Sequence, residues 1–236
     1  MASLPPVLFE DDSLAALAKP AGLPVGAAAG AGLLDLARAR FGAGASLAHR
    51  IDDEASGLVL CARTKPSLDY LSGQFQAKTV EAVFHVLTAG APADDSGVIE
   101  LVLKEDEAAP GRMCIVKKHG QKALTEFQVR QRFGRFAWLE CRPRTSRRHQ
   151  LRVHLAAVGA PVLNDRLYGN GTVLLLSDLK RGYKGREDER PLIGDLALHG
   201  AELAFSHPLT RARMTLNMPL PKDFAIALKY LQRFAK

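Results

Sequence analysis

The sequence predicts an α+β fold in which a mixed, mainly antiparallel central sheet is flanked by helices. Strand-like segments follow one another with helices interspersed, without the regular strand–helix alternation of a parallel α/β fold. Neither an internal repeat nor a linker interrupts the 236 residues, and their 47% hydrophobic and 24% charged content is that of an ordinary globular protein. We therefore expect a single domain over residues 1–236.

The first third of the chain is predicted to contain short strands and two helices. Strands are expected at residues 6–9, 13–18 and 58–62, the last being an apolar run of buried-strand length. Residues 19–24 should form a loop, because two prolines and a glycine cannot continue a strand ladder. A short helix is expected at residues 33–41, and Thr64 can cap a second helix with Leu68, Leu71 and Phe75 on one face.

The rest of the chain is predicted to be rich in strands. They are expected at residues 81–88, 98–103, 123–133, 137–142, 196–205 and 213–217. Residues 148–158 should form a helix that ends at Gly159, with Leu151 facing the core and with Arg148 and Arg152 together on another face. Residues 182–191 are expected to be an exposed loop, and residues 221–234 a C-terminal amphipathic helix.

Composition and cysteine spacing exclude several classes of protein. The sequence contains no run of eighteen apolar residues that could span a membrane, and residues 1–10 do not have the pattern of a secretory signal. Cys61, Cys114 and Cys141 lie far apart, which argues against a disulfide framework and a cysteine-rich zinc site. The histidines show no metal-binding spacing either, so we expect a cytoplasmic protein without a metal.

Positive charge is concentrated in one part of the chain. Residues 112–152 contain twelve lysines and arginines but only two acidic residues, Glu126 and Glu140, although the whole chain has a net charge of only +7. A field of this kind suits a polyanion such as nucleic acid. A solvated basic face without a partner is the alternative.

Two segments combine residues that could carry chemistry. Residues 49–57 place three adjacent acids, Asp52, Asp53 and Glu54, just before an apolar strand, although the same pattern suits a solvated acidic turn. Residues 142–154 contain five arginines around a predicted helix start. Because a helix N-terminus favours anions, these arginines are better placed to meet phosphates or a buried carboxylate than to stabilise the helix.

These segments resemble those of the RluA-type RNA pseudouridine synthases, and the resemblance extends nearly from end to end. The family's His-Arg-Leu-Asp-x-x-Thr-Ser-Gly corresponds to residues 49–57, and its Thr-Gly-Arg-x-His-Gln-Ile-Arg-x-His to residues 145–154. Its Gly-Asp-x-x-Tyr-Gly corresponds to residues 164–169, Lys-Pro-x-Gly-Leu-Pro to residues 19–24, and Leu-His-Ala…His-Pro to residues 198–208. Because five motifs occur in the family's order, the resemblance is not explained by chance. The match is to the family's catalytic domain, without an S4-type RNA-binding module.

The resemblance implies a cofactor-independent isomerase that converts uridine in structured tRNA or rRNA to pseudouridine. Asp52 would be the catalytic carboxylate, and Arg152 the cation that keeps it ionised, since an arginine within about 4–6 Å lowers a carboxyl pKa by roughly 1–3 units. Phe84 falls where the family usually has a tyrosine, so it could stack on a flipped uracil. A phenylalanine in the core is the alternative. Spacing alone does not exclude Asp53 or Glu54 from the role of Asp52.

The resemblance also implies which residues bind the RNA substrate. Arg50 would hold the strand or fill the space left by the flipped base. The other predicted contacts are His49, Arg147, Arg148, His149, Gln150 and Tyr168. The expected partner is RNA, and we expect a monomer.

Three further departures from the family pattern lie in these motifs. Ala55 replaces a threonine, Ser146 a glycine and Asn164 a glycine, and Ser146 would disturb a turn that required positive φ. A catalytically weak RNA-binding homologue, for example an RNA chaperone, is therefore the alternative function. A hydrolase that uses His and Asp is a third hypothesis, although no serine or cysteine nucleophile motif accompanies them.

Overall fold

A computed structural model of the protein describes residues 3–26, 32–180, 182–183, 185 and 188–235. It has the predicted α+β fold, with a mixed, mainly antiparallel sheet and a few helices. The chain divides into two compact units. The first lies within Met1–Val83 and Gly200–Pro219, and the second within Phe84–His199 and Leu220–Lys236.

The first unit is built around two fully buried strands, β2 and β4. Its strands are β1 (Val7–Glu10), β2 (Leu14–Lys19), β3 (Ser46–Leu47), β4 (Ser56–Ala62), part of β10 (Leu198–Ser206) and β11 (Arg213–Asn217), and its helices are α1 (Leu33–Phe41) and α2 (Lys65–Gln76). Strand β2 pairs antiparallel with β1 and β4, and β10 pairs antiparallel with β11.

Strands β2 and β4 are buried on both faces because each face is covered by a helix. Leu14 and Leu60 point to the face that packs with Leu71 of α2. Leu17 and Val59 point to the opposite face, which packs with Leu33 and other residues of α1. The alternation of strand side chains therefore supplies two apolar layers, which explains the continuous apolar runs in both strands.

The second unit is an antiparallel sheet with helices from three parts of the chain. Its strands are most of β5 (Glu81–Ala89), β6 (Ser96–Glu105), β7 (Met113–Ile115), β8 (Gln121–Phe133) and β9 (Phe136–Pro143), in the order β5-β9-β8-β6-β7. Its helices are α3 (Gln150–Ala157), α4 (Leu176–Leu179) and α5 (Lys222–Phe234). Val153 of α3 packs against Leu103 of β6 and Ala123 of β8, and this contact fixes the helix that carries Arg152.

Most predicted elements are confirmed, but the helix at residues 148–158 begins two residues later than expected. His149 has a left-handed backbone, with φ of 53°, so α3 begins at Gln150 and Arg148 lies in the preceding turn. Arg148 is exposed whereas Arg152 is only 2% exposed. The prediction that the two arginines share a helix face is therefore wrong.

Other differences concern short elements and domain boundaries. Strands β3 and β7 and helix α4 were not predicted, since segments of two to four residues carry little periodicity. Part of the predicted loop at residues 182–191 lies outside the described residues. The single domain over residues 1–236 stays a prediction. In the part of the chain that the structure describes, we find no helix long and apolar enough to cross a membrane.

Candidate active site

The three adjacent acids lie in the loop that leads into β4, here called the acidic loop (residues 49–55). Asp52 is half-buried, whereas Asp53 and Glu54 are exposed. The carboxylate of Asp53 accepts the backbone N–H of Val25 at 2.9 Å, and its carbonyl oxygen accepts the N–H of Gly22 at 2.9 Å. Asp53 thus ties the acidic loop to residues 22–25. Of the three acids, Asp52 has the burial expected of a carboxylate in a binding cleft.

The buried side chain of Lys19 is hydrogen-bonded to the backbone of the acidic loop. Nζ of Lys19, at the end of β2, donates to the carbonyl oxygens of Asp53 and Ala55, both at 2.7 Å, and to that of Pro20 at 3.1 Å. Burial lowers the pKa of Lys19 to about 8, and the charges of Asp53, Asp52 and Glu54 oppose that shift. Two of these three hydrogen bonds hold the backbone of the acidic loop, because releasing the loop would leave a buried ammonium group without these acceptors.

His49 is also held internally. Its Nε2 accepts the backbone N–H of Leu60 in β4 at 3.1 Å, and its ring stacks on Phe75 of α2 with centroids 4.5 Å apart. Burial lowers the pKa of His49 to about 4, which fits an Nε2 that must stay unprotonated to accept that bond. These contacts support a positioning role for His49, and direct contact with substrate stays a prediction. Arg50 beside it is exposed.

The glycine that follows the acidic loop is required by close backbone packing. Gly57 has φ of 148°, and a Cβ atom there would lie 2.7 Å from the backbone N and Cα of Gly200. Neither backbone can move aside without breaking strand pairing. The glycine of the Ser-Gly motif is therefore needed where the acidic loop enters β4, because only a residue without a Cβ fits there.

In the second unit, Arg152 is held by a buried carboxylate. Its Nε and Nη2 donate to Oδ2 and Oδ1 of Asp165 at 2.8 and 2.9 Å. Oδ1 of Asp165 also accepts the backbone N–H groups of Leu167 and Tyr168, at 2.9 and 3.1 Å. Arg152 is 2% exposed and Asp165 is 0% exposed. The guanidinium therefore has a fixed orientation inside the protein.

The hydroxyl group of Tyr168 makes hydrogen bonds within the protein. The hydroxyl oxygen accepts the N–H of Met113 at 2.8 Å and lies 2.9 Å from Nδ1 of His149. The ring lies over the guanidinium of Arg152, 5.4 Å from Cζ, and that of Arg112, at 5.6 Å. These contacts make Tyr168 a link between α3 and β7, and its predicted contact with RNA stays a prediction.

The side chain of Gln150 fixes the start of α3. Its oxygen accepts from the Thr145 hydroxyl and the Arg147 N–H, at 2.8 and 3.2 Å. Its nitrogen donates to the carbonyl of Leu124 and the hydroxyl of Thr125, both at 3.0 Å. All four hydrogen-bonding positions of the amide are occupied. This supports a structural role for Gln150, and its predicted substrate contact is not tested.

The arginines before α3 form an exposed basic edge, which consists of Arg142, Arg144, Arg147 and Arg148. Several have acidic partners, with Arg144 making a bidentate pair with Glu126 at 2.8 Å and Arg142 meeting Glu140 at 2.6 Å. Arg148 lies 3.5 Å from Glu105. Exposed pairs of this kind contribute about 0–1 kcal/mol, so phosphate oxygens can replace the carboxylates at little cost.

Phe84 lies on β5 opposite the fully buried Cys141 of β9. Its side chain is half-buried, unlike Val83 and Val86 on the same strand, which are buried. The side chain of Phe84 is therefore partly accessible, and its stacking role stays a prediction.

A serine, a histidine and an aspartate do meet in the first unit, but their hydrogen bonds do not suit a hydrolase. Nε2 of His207 contacts Asp11 at 2.6 Å and Ser13 at 3.3 Å, while its Nδ1 accepts the N–H groups of Leu209 and Thr210. The proton is then on Nε2 and directed to Asp11, so the imidazole cannot act as a base toward Ser13. These hydrogen bonds connect the turn that contains Asp11 to the turn that contains His207.

Two buried residues that hold candidate residues in place, one in each unit, were not singled out from the sequence. Lys19 and Asp165 both belong to quoted motifs, but a lysine in a proline-containing segment and an aspartate in a turn are usually exposed. Their burial could not be read from spacing. Asn164, by contrast, has φ of 63° where the family has glycine, while Ser146 is not among the described residues with positive φ. The positive φ on which strain at Ser146 depended is therefore not found. No group of three metal-binding side chains was found among the described residues.

Residues 13–157 match the family model described as RNA pseudouridylate synthase. The chain is 32% identical to the ribosomal large subunit pseudouridine synthase D of Neisseria meningitidis over 96% of its own length and 61% of that protein's. It is 31% identical to the ribosomal large subunit pseudouridine synthase C of Vibrio vulnificus, over 96% of its own length and 69% of that protein's.

Among solved structures, human RNA pseudouridylate synthase domain containing 4 superimposes with a TM-score of 0.72 and 26% identity, covering 96% of this chain and 92% of that one. The family model covers more than half of the sequence, and the fold agrees with it. The chain therefore belongs to the RNA pseudouridylate synthase family.

Proposed function

We propose that this protein is an RNA pseudouridine synthase that acts on uridine in structured large-subunit ribosomal RNA, with Asp52 as its catalytic carboxylate. The observation that carries the proposal is the acidic loop, in which Asp52 is half-buried while Lys19 and Asp53 fix the backbone around it. The choice of ribosomal RNA over tRNA draws on the names of the related proteins C and D.

The reaction needs an enzyme carboxylate near the sugar of the target nucleotide. The bond between N1 of uracil and C1′ breaks, the base turns, and C5 bonds to C1′; C5 then loses its proton and N1 gains one, so that the product is an isomer of the substrate. Asp52 would act as nucleophile or base at the sugar, a role that requires it to be ionised. Arg152 is proposed to supply the opposing positive charge that keeps the pKa of Asp52 low. All groups in this scheme come from the protein, and no cofactor is proposed.

Access to the base requires that the uridine leave the RNA stack. Flipping costs a few kcal/mol, and stacking on an aromatic face returns about 1–3 kcal/mol. Phe84 is proposed to provide that face, since its ring is half-buried. Without a phenol hydroxyl it cannot take part in proton transfer, so removal of the C5 proton falls to another group.

The basic edge is proposed to bind the phosphate backbone of the RNA. Its arginine side chains are exposed or half-buried, and Arg144 already holds Glu126 in the bidentate geometry that also suits phosphate. Arg50, exposed at the start of the acidic loop, is proposed to contact the RNA beside the flipped nucleotide.

Release of tritium from RNA labelled at C5 of uridine tests the proposal, because formation of pseudouridine expels that hydrogen. We expect release from transcripts of large-subunit ribosomal RNA and little from tRNA transcripts. Release from tRNA alone would correct the substrate. RNA binding without release from either would favour the non-catalytic homologue, for which the phenylalanine at residue 84 and the alanine at residue 55 are the motivating observations.

A further inference from the structure

The turn between β10 and β11, here called the distal turn (residues 207–212), exposes an arginine that the mechanism proposed above does not use. We infer that Arg211, stacked on Tyr70 of α2, is a second RNA-binding site, which holds a backbone phosphate of the substrate outside the target nucleotide. The inference rests on the proposed function, since it takes the substrate to be a ribosomal RNA that extends beyond the active site.

The distal turn and the acidic loop lie at opposite ends of the first unit. The acidic loop enters β4 where Gly57 and Gly200 are in close backbone contact. At the other end of β10, His207 lies 3.3 Å from Ser13, which precedes the residue of β2 that pairs with the last residue of β4. From residue 200 to residue 206 a strand extends about 20 Å, at about 3.3 Å per residue. Arg211 is therefore too far from the acidic loop to contact the target nucleotide.

The backbone of the distal turn holds Arg211 in a conformation that arginine seldom adopts. Its φ is 63°, in the left-handed region where glycine is the usual residue. Its N–H donates to the carbonyl of His207 at 3.0 Å, and Nδ1 of His207 accepts the N–H groups of Leu209 and Thr210 at 3.2 and 3.1 Å. Glycine would fit this turn with less strain, so the side chain of Arg211 needs an explanation other than the turn itself.

The side chain of Arg211 is oriented by an aromatic ring. Its Cζ lies 3.7 Å from the centroid of the Tyr70 ring, whereas the other arginine–ring contacts among the described residues measure 4.9–5.6 Å. A guanidinium held over a ring in this way has one face covered, while its N–H groups lie in its own plane and stay accessible at its edge. The contact therefore presents a positive, planar donor in a fixed position.

The exposed guanidinium of Arg211 is available to an anion. Arg63 and Arg213 of the same unit each have a glutamate partner, but Arg211 has no ion pair in the part of the chain that the structure describes. Two oxygens of one phosphate fit the donor pattern of a guanidinium. Leu209, which is 63% exposed, adds an apolar surface beside it against which a ribose or a base can pack. These features suit the backbone of an RNA strand.

The test compares Arg211→Gly with Lys78→Gly in the full chain. Lys78 is a matched control because it is exposed and basic, belongs to the same unit and also has a left-handed backbone, with φ of 58°. Glycine suits both positions, so both variants should fold, which circular dichroism checks. The dissociation constants are measured for a transcript of large-subunit ribosomal RNA and for nested truncations of it. Single-turnover release of tritium at saturating protein is measured on the same transcript.

Arg211→Gly should raise the dissociation constant for the transcript about 3- to 10-fold and reduce the magnitude of its salt slope by about one unit. The loss should disappear with the shorter truncations, which no longer reach the distal turn. The single-turnover rate should stay within about twofold of wild type, and Lys78→Gly should change neither rate nor affinity by more than about twofold.

Unchanged affinity of Arg211→Gly for the transcript would overturn the inference, because the contact with Tyr70 would then serve only to hold the turn on α2. An equal loss of affinity in Lys78→Gly, or an equal loss for every truncation, would also overturn it. Absence of tritium release by the wild-type protein would contradict the proposed function, whereas the comparison of affinities decides the inference about Arg211 by itself.

If Arg211→Gly does not fold, Arg211→Asn decides. Asparagine also tolerates the left-handed region and has no charge. Weaker binding of the transcript by folded Arg211→Asn supports the inference, and binding with wild-type affinity contradicts it.

Discussion

His154, on the helix that carries Arg152, makes the stability of the protein depend on pH. The residue is 0% exposed, and neither ring nitrogen has a hydrogen-bond partner among the described residues. Burial lowers its pKa from an ordinary 6.5 to about 4. The unfolded chain therefore binds a proton between these two values that the folded chain does not, and the free energy of unfolding must fall as the pH decreases through this range.

The size of the effect follows from the two pKa values. At pH 5 a histidine with a pKa of about 4 when folded and 6.5 when unfolded costs about 2 kcal/mol of stability relative to pH 7.5. His154→Leu removes the titrating group without removing a hydrogen bond, so it should lose about 2 kcal/mol less than wild type between these pH values. His49, with its pKa also lowered to about 4, adds to the effect in both proteins. Asp11, with a pKa lowered to about 2, contributes only at more acidic pH.

Urea unfolding followed by circular dichroism at pH 7.5 and pH 5 measures the difference. His119→Asn is the control, because His119 is exposed and asparagine tolerates its positive φ of 61°. The control should lose as much stability as wild type. Equal losses in wild type and in His154→Leu would refute the reasoning, since the ring would then be either solvated or paired.

Two further predictions concern the junction after the acidic loop and the basic edge. Gly57→Ala should destabilise the protein by more than about 2 kcal/mol, because its Cβ would collide with the backbone of Gly200. Gly73→Ala in α2 is the control, since its Cβ meets nothing within 4 Å and should stabilise the protein by about 0.5–1 kcal/mol. Thermal unfolding measures both variants, and similar melting temperatures would contradict the prediction. A plot of the logarithm of the RNA binding constant against that of the salt concentration should fall with a slope of about 0.7–0.9 per phosphate contacted. The double variant Arg147→Ala/Arg148→Ala should reduce the magnitude of that slope by about one to two units. An unchanged slope would place the RNA on another surface.

The fold was largely predictable because its strongest signals are local. The range of α1 was predicted without error, and Thr64 caps α2, accepting the N–H of Ser67 at 3.3 Å. Strand β2 was predicted as a short strand, and the apolar run of β4 as a strand of buried length. Failures came where one residue departs from regular backbone, as at His149, whose left-handed conformation shortens α3. The residue types around His149 do not predict its left-handed backbone.

The sequence identified candidate residues for the site, whereas the contacts that hold their side chains are visible only in the structure. Motif order identified Asp52 and Arg152 as candidates, and burial then distinguished Asp52 from Asp53 and Glu54. The pairing of Arg152 with Asp165 joins residues thirteen positions apart through a turn, and no periodicity reveals it. The contacts of Lys19 with the carbonyls of Asp53 and Ala55 likewise depend on the path of the backbone in the acidic loop.

Single-turnover formation of pseudouridine by three variants of the acidic loop tests the central claim most directly. Asp52→Asn should bind RNA with wild-type affinity and form no pseudouridine. Asp53→Asn and Glu54→Gln should stay active, the first with some loss because the carboxylate of Asp53 holds Val25. Modification by Asp52→Asn at the wild-type rate, or its loss in Glu54→Gln instead, would contradict the assignment of the catalytic carboxylate.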